Sequence, residues 1–82
     1  MKIIKTDFND VILIKNFFAS DNRGSFLKTY NRDFFVSNKI HFEIKESFLS
    51  INHKNVIRGM HFQRPPYDHN KLVFVSKGVI TD

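Results

Sequence analysis

No apolar run in this chain lasts beyond about four residues, as in "VILI" and "LVFV", before a charge, an Asn, a Ser or a Gly interrupts it. Runs this short, crowded with Phe and β-branched residues and separated by turn formers, suit strands and leave no room for long helices. "KIIKT" and "VILIKN" flank "DFND", a turn, and "SDNRGSF" is a second turn cluster leading into "SFLKTYN". Asn31 can cap one short helix, "RDFFVSN", with Phe34 and Phe35 packing inward. "FEIKESFLSI", "NVIRGMHFQ" and "KLVFVSKGVI" then read as strands, joined by "NHK" and "RPPYDHN". The expected fold is all-β with one short helix, a sandwich or barrel. The last strand turns at Gly78 and a new run has only begun at Asp82. Residues 1–82 are therefore expected to form a single incomplete domain, truncated within a strand, the front part of a larger β structure.

Size and charge narrow the function. A chain of 82 residues buries only about 60–65% of the surface it exposes unfolded, too little for a deep core. It has no cysteine, so neither disulfides nor thiolate metal sites can compensate, and a cytoplasmic location is expected. Lys5, Asp7, Asp10 and Lys15 break the N-terminal apolar runs well short of a membrane span of about 20 residues, so no membrane association is expected. The net charge of +5 favours anionic partners, but the cations are spread along the chain rather than gathered in a block. A nucleic-acid binder should alternate aromatics with cations along one sheet face; "SFLKTYN" does so too briefly, and no nucleic-acid partner is expected.

The densest chemistry lies at residues 58 to 73, "RGMHFQRPPYDHNKLV". Strict alternation would set Val56, Arg58, Met60 and Phe62 on one face and Ile57, Gly59, His61 and Gln63 on the other. A bulge at Gly59 could re-aim a side chain so that Arg58 and His61 reach one cavity. Pro65 and Pro66 fix the connection, and the chain returns with Lys71, Val73 and Val75 on one face, bringing Lys71 toward His61. Alone, each of these groups has an ordinary reading: a hydrogen-bonded strand histidine, or surface cations with snorkelling stems. Tyr67, Asp68 and His69 read as turn or cavity-edge residues, His41 and His53 as surface, and the Phe residues as core, with Phe26 able to line a pocket.

The spacing also resembles the metal-binding cupin pattern of Gly before His-x-His and Glu-x6-Gly. Gly59, His61 and Gly78 are present, but Gln63 replaces the second His and Lys71 the Glu. An ammonium cannot coordinate a cation, and an amide oxygen is a poor transition-metal ligand, so a cupin-like barrel without metal or other cofactor is expected.

"DNRGSF", "VIRGMHFQRPP" and "KLVFVSKGVITD" together resemble the N-terminal half of the dTDP-4-dehydrorhamnose 3,5-epimerase family, metal-free cupin-like enzymes, over essentially the whole chain. The resemblance implies the N-terminal half of a jelly-roll barrel, homodimers, and a nucleotide-sugar substrate whose 4-keto group acidifies the C3 and C5 protons. It implies His61 as catalytic base and Lys71 as the catalytic cation near the keto oxygen. Arg23 and Arg58 would contact the diphosphate, with Phe26 and Gln63 completing the substrate-binding set. An imidazole with an ordinary pKa of about 6.5 suits proton abstraction near neutrality, and guanidinium forks suit phosphate. The family's acid tyrosine, and the carboxylate that pairs with its histidine, would lie beyond Asp82. Lys28 stands where the family usually carries Glu, and Glu46, Ser47 and Phe48 where it carries Gln-Asp-Asn. These departures leave room for another nucleotide sugar, such as a GDP-linked heptose, and a non-catalytic remnant or binding module is the further alternative.

Overall fold

A computed structural model describes all 82 residues, Met1–Asp82, and divides them into two compact units, Met1–His41 and Phe42–Asp82. All regular elements lie in the first unit: four short strands and one helix. β1 (Lys2–Lys5) pairs antiparallel with β2 (Ile12–Lys15), with Ile3 opposite Ile14 and Ile4 opposite Leu13. Thr6 fixes the connection: its hydroxyl donates to the Val11 carbonyl at 2.6 Å and accepts the Phe8 N–H at 3.1 Å, while Val11 N–H donates to the Phe8 carbonyl. The side chain thus supplies the turn with partners that a ladder would otherwise give.

β3 (Phe17–Asp21) and β4 (Gly24–Lys28) form the second hairpin, with Asp21 opposite Gly24 and only Asn22 and Arg23 between them. Gly24 has φ +135°, a conformation closed to most side chains, which explains glycine at the point where the strand restarts. The register puts Phe17, Ala19, Phe26 and Lys28 on one face, where Phe17 and Phe26 meet edge to face at 6.3 Å and the Lys28 ammonium lies 5.8 Å from the Phe17 ring centre.

Helix α1 (Arg32–Ser37) begins where the sequence places it: the Asn31 side chain accepts the Phe34 N–H at 2.9 Å. Its end is closed by Lys39 N–H to the Val36 carbonyl and Ile40 N–H to the Phe35 carbonyl, the paired bonds of a left-handed helix stop. Lys39 holds the left-handed position at φ +58°. Phe35 is buried at 2% exposure and meets Tyr30 edge to face at 4.8 Å, while Phe34 is half-buried.

In the second unit the three expected strands, "FEIKESFLSI", "NVIRGMHFQ" and "KLVFVSKGVI", do not form; residues 42–82 contain turns and bends but no paired strand. A strand exists only where a neighbour completes its hydrogen-bond ladder, and no segment of this unit pairs with another. The turns themselves sit where expected. Val56 N–H donates to the His53 carbonyl around Asn55, and Tyr67 N–H to the Arg64 carbonyl across Pro65-Pro66. The expectation that the Phe residues are core is corrected as well. Phe35 is the one fully buried hydrophobic residue, whereas Phe48 and Phe62 are 84% and 79% exposed. Without a second layer of paired strands, their apolar faces have nothing to pack against.

Candidate functional site

In the first unit, Arg23 and Phe26 line one shallow, open depression of about 330 Å³, together with Ala19, Ser20, Asp21, Gly24 and Ser25. The two-residue turn sets Arg23 beside Asp21. The Asp21 carboxylate accepts the Arg23 main-chain N–H at 2.8 Å, and its Oδ2 accepts Nε–H at 3.1 Å and Nη2–H at 2.6 Å. These side-chain and main-chain hydrogen bonds from Arg23 hold the Asp21 carboxyl below its ordinary value, and Asp21 raises the Arg23 guanidinium in turn.

In the second unit, the structure brings Gly59, His61 and Lys71 together. Lys71 Nζ donates to the main-chain carbonyl of His61 at 3.5 Å, a long contact that sets the ammonium beside the histidine backbone rather than its ring. Gly59 has φ +96°, and a Cβ there would come within 3.1 Å of His61 Nδ1 and 3.3 Å of its main-chain nitrogen. The backbone angle favours glycine there, and a Cβ would also press on the imidazole, which would have to yield by a few tenths of an ångström. Arg58 and Gln63 flank this group as exposed residues of an irregular segment, so their facing is not imposed by strand alternation. In the connection, His69 Nδ1 lies 3.3 Å from the Tyr67 carbonyl. No three His, Cys, Asp or Glu side chains gather into a metal-binding group, and no helix is long and apolar enough to cross a membrane.

Two contacts were not anticipated from the sequence. Asp21 is tied to Arg23, and the signal was the Asp-x-Arg spacing across a two-residue turn, where a carboxylate reaches the N–H two positions on. Lys28 rests over Phe17 because the two are directly opposed in the hairpin register.

Short antiparallel hairpins bearing a tethered arginine, and a separate unit with a histidine whose carbonyl meets an ammonium, define a small β-strand protein. The model of the dTDP-4-dehydrorhamnose 3,5-epimerase family matches residues 5–82, and the chain belongs to that family. It is 35% identical over 86 residues to the dTDP-4-dehydrorhamnose 3,5-epimerase of Escherichia coli (strain K12), covering 100% of this chain and 45% of that protein. The enzyme of the same name from Methanothermobacter thermautotrophicus is 35% identical over 81 residues, covering 99% of this chain and 43% of its own length. That from Neisseria gonorrhoeae is 35% identical over 86 residues, covering 100% of this chain and 25% of its own length. The chain thus spans less than half the length of the curated relatives it matches. No solved structure matches it.

Proposed function

We propose that this chain supplies the N-terminal, substrate-holding and base-bearing portion of a nucleotide-sugar 3,5-epimerase with a cupin-like jelly roll. In this reading the substrate is a 4-keto-6-deoxy sugar nucleotide of the dTDP-4-dehydro-6-deoxyglucose type. His61 removes the proton from C3 or C5, leaving an enolate on the 4-keto group. The Lys71 ammonium stabilises the negative oxygen, and an acid on the opposite face returns a proton with inversion. Arg23 and Arg58 hold the diphosphate, Phe26 forms an apolar wall, and Gln63 contributes a polar contact to the sugar. The chemistry needs no metal, because carbonyl acidification and a fixed cation perform the charge stabilisation that a Lewis acid would otherwise supply. The enzyme works in the cytoplasm as a homodimer.

The observation that carries this reading is the Gly59–His61–Lys71 grouping in a chain matched to the epimerase family over residues 5–82. A second reading, another nucleotide sugar such as a GDP-linked heptose, draws on Lys28, whose ammonium sits 5.8 Å from the Phe17 ring at the position where the resemblance leads one to expect a carboxylate.

The test joins this chain to the C-terminal portion of the Escherichia coli relative and follows the sugar C3 and C5 protons by NMR in deuterated buffer. The parent fusion is expected to exchange both protons and His61→Ala to lose exchange, while His69→Ala keeps most of it. Exchange at the parent rate in His61→Ala would remove His61 as the base. Elemental analysis of the same fusion, purified without added metal, is expected to find no stoichiometric zinc, iron or manganese; finding one bound through His61 would overturn the metal-free chemistry.

A further inference from the structure

Arg23 does not stand free at the end of its hairpin. Asp21 Oδ1 accepts its main-chain N–H at 2.8 Å, while Oδ2 takes Nε–H at 3.1 Å and one Nη2–H at 2.6 Å. A guanidinium carries five N–H donors in one plane. With the Nε side taken by the carboxylate, Nη1 and the second hydrogen of Nη2 remain as an end-on fork of the kind that matches two phosphate oxygens. The Arg23 side chain is 86% exposed and lines the depression that Phe26 shares, so the fork is open to a ligand there.

We propose that Asp21 is a positioning residue, which holds the Arg23 guanidinium so that its free edge is presented to the diphosphate of the nucleotide sugar. This rests on the reading of Arg23 as a diphosphate contact. Asp21 has two opposed effects on an anionic ligand. Its charge cancels that of Arg23 at a distance, which weakens attraction. Its hydrogen bonds fix the arginine before binding, and an arginine left free must be ordered on binding at a loss of roughly twofold to tenfold in affinity. Salt separates the two effects: at about 1 M the screening length shrinks to about 3 Å, so the long-range term fades while the ordering term stays.

The experiment is an NMR titration of the arginine side-chain signals of the 82-residue chain with thymidine diphosphate at millimolar concentrations, at low salt and at about 1 M. Parent, Asp21→Asn, Asp21→Ala, Asp21→Glu and Arg23→Ala are compared. Asp21→Asn keeps an oxygen for the Arg23 main-chain N–H, so the hairpin survives while the ion pair is lost; the amide pattern of residues 17–28 reports this directly. At high salt, Asp21→Asn and Asp21→Ala are expected to bind roughly twofold to tenfold more weakly than the parent, with the Arg23 Nε–H broadened by faster exchange. Asp21→Glu is expected to recover part of the loss. A purely structural role would leave affinity unchanged wherever the hairpin pattern is intact. Equal or tighter high-salt binding by Asp21→Asn with an intact hairpin would overturn the proposal while sparing the diphosphate reading of Arg23. Parent-like binding by Arg23→Ala, or no response of Arg23 to thymidine diphosphate in the parent, would overturn both.

Discussion

Asp21 and Arg23 show how two exposed residues acquire a defined geometry from the turn that carries them. Because the Arg23 hydrogen bonds hold the Asp21 carboxyl below its ordinary 3.8, the folded hairpin binds this proton less readily than the unfolded chain does. The contribution to stability is therefore complete above pH 3.8, falls as acid carries the pH down through the folded value, and is gone below it. The pair is exposed and solvent screening keeps it small, so the expected signature is local. In an NMR pH titration, the Asp21 carboxyl carbon should titrate with a midpoint below 3.8, and the Arg23 Nε–H should lose its protection over the same interval. A midpoint at or above 3.8 would mean that the ion pair does not persist in solution. The pair in the second unit differs in kind: Lys71 meets the His61 main-chain carbonyl, an acceptor that carries no formal charge.

At the scale of the element, α1 is a six-residue helix whose ends are better specified than its length would require. Asn31 closes the start, and Asn38, Lys39 and Ile40 close the end through bonds to Phe34, Val36 and Phe35. Lys39 adopts φ +58° with a side chain, a conformation costing about 1–2 kcal/mol relative to glycine. Lys39→Gly is therefore expected to stabilise the helix end by roughly 0.5–1 kcal/mol after glycine's greater unfolded-state entropy is counted. Amide hydrogen exchange at Asn38 and Ile40 should slow in the variant; unchanged or faster exchange would mean that the left-handed turn carries no strain. The strand Phe17–Asp21 was not read from the sequence. This helix, the first hairpin and the turn and second strand of the other hairpin were legible in the sequence because their signals are local: an Asn three residues before the N–H it caps, and turn clusters beside apolar runs. The strands of residues 42–82 were not, although their apolar patterns are equally clear. Pattern reports which faces could be buried, whereas a strand also needs a partner, which lies outside any window of sequence. The candidate site divides in the same way. The closeness of His61 and Lys71 could be read from spacing and the Pro-Pro turn. The facing of Arg58 and Gln63 could not, since it depended on a strand that did not form.

At the scale of the whole molecule, surface area decides what this polypeptide can do by itself. Its accessible surface of 8663 Å² includes many large apolar side chains. Among these, Ile57, Met60 and Phe62, close to His61 in sequence, are 92%, 85% and 79% exposed. A base acts well only when substrate is held at near-contact distance in a site that excludes water, and an irregular segment with open flanks provides neither. Inversion also needs an acid on the face opposite the base, and the chain's two tyrosines are differently engaged. Tyr30 packs edge to face on Phe35 at 4.8 Å, and Tyr67 sits 74% exposed in the turn after Pro66. The 82-residue polypeptide by itself is therefore expected to bind thymidine diphosphate weakly and to form no epimerised sugar. Incubation with a 4-keto-6-deoxy nucleotide sugar in deuterated buffer, with the C3 and C5 protons followed by NMR, should show at most slow exchange above the buffer rate and no inverted product. Joining the chain to the C-terminal portion of the Escherichia coli relative should restore both exchange and inversion in the proposed reading, which requires added strands for residues 42–82 and an acid opposite His61. Sustained product from the 82-residue polypeptide alone, free of any longer epimerase, would show that neither added strands nor an added acid is needed, and the mechanism assigned to His61 and Lys71 would have to be abandoned.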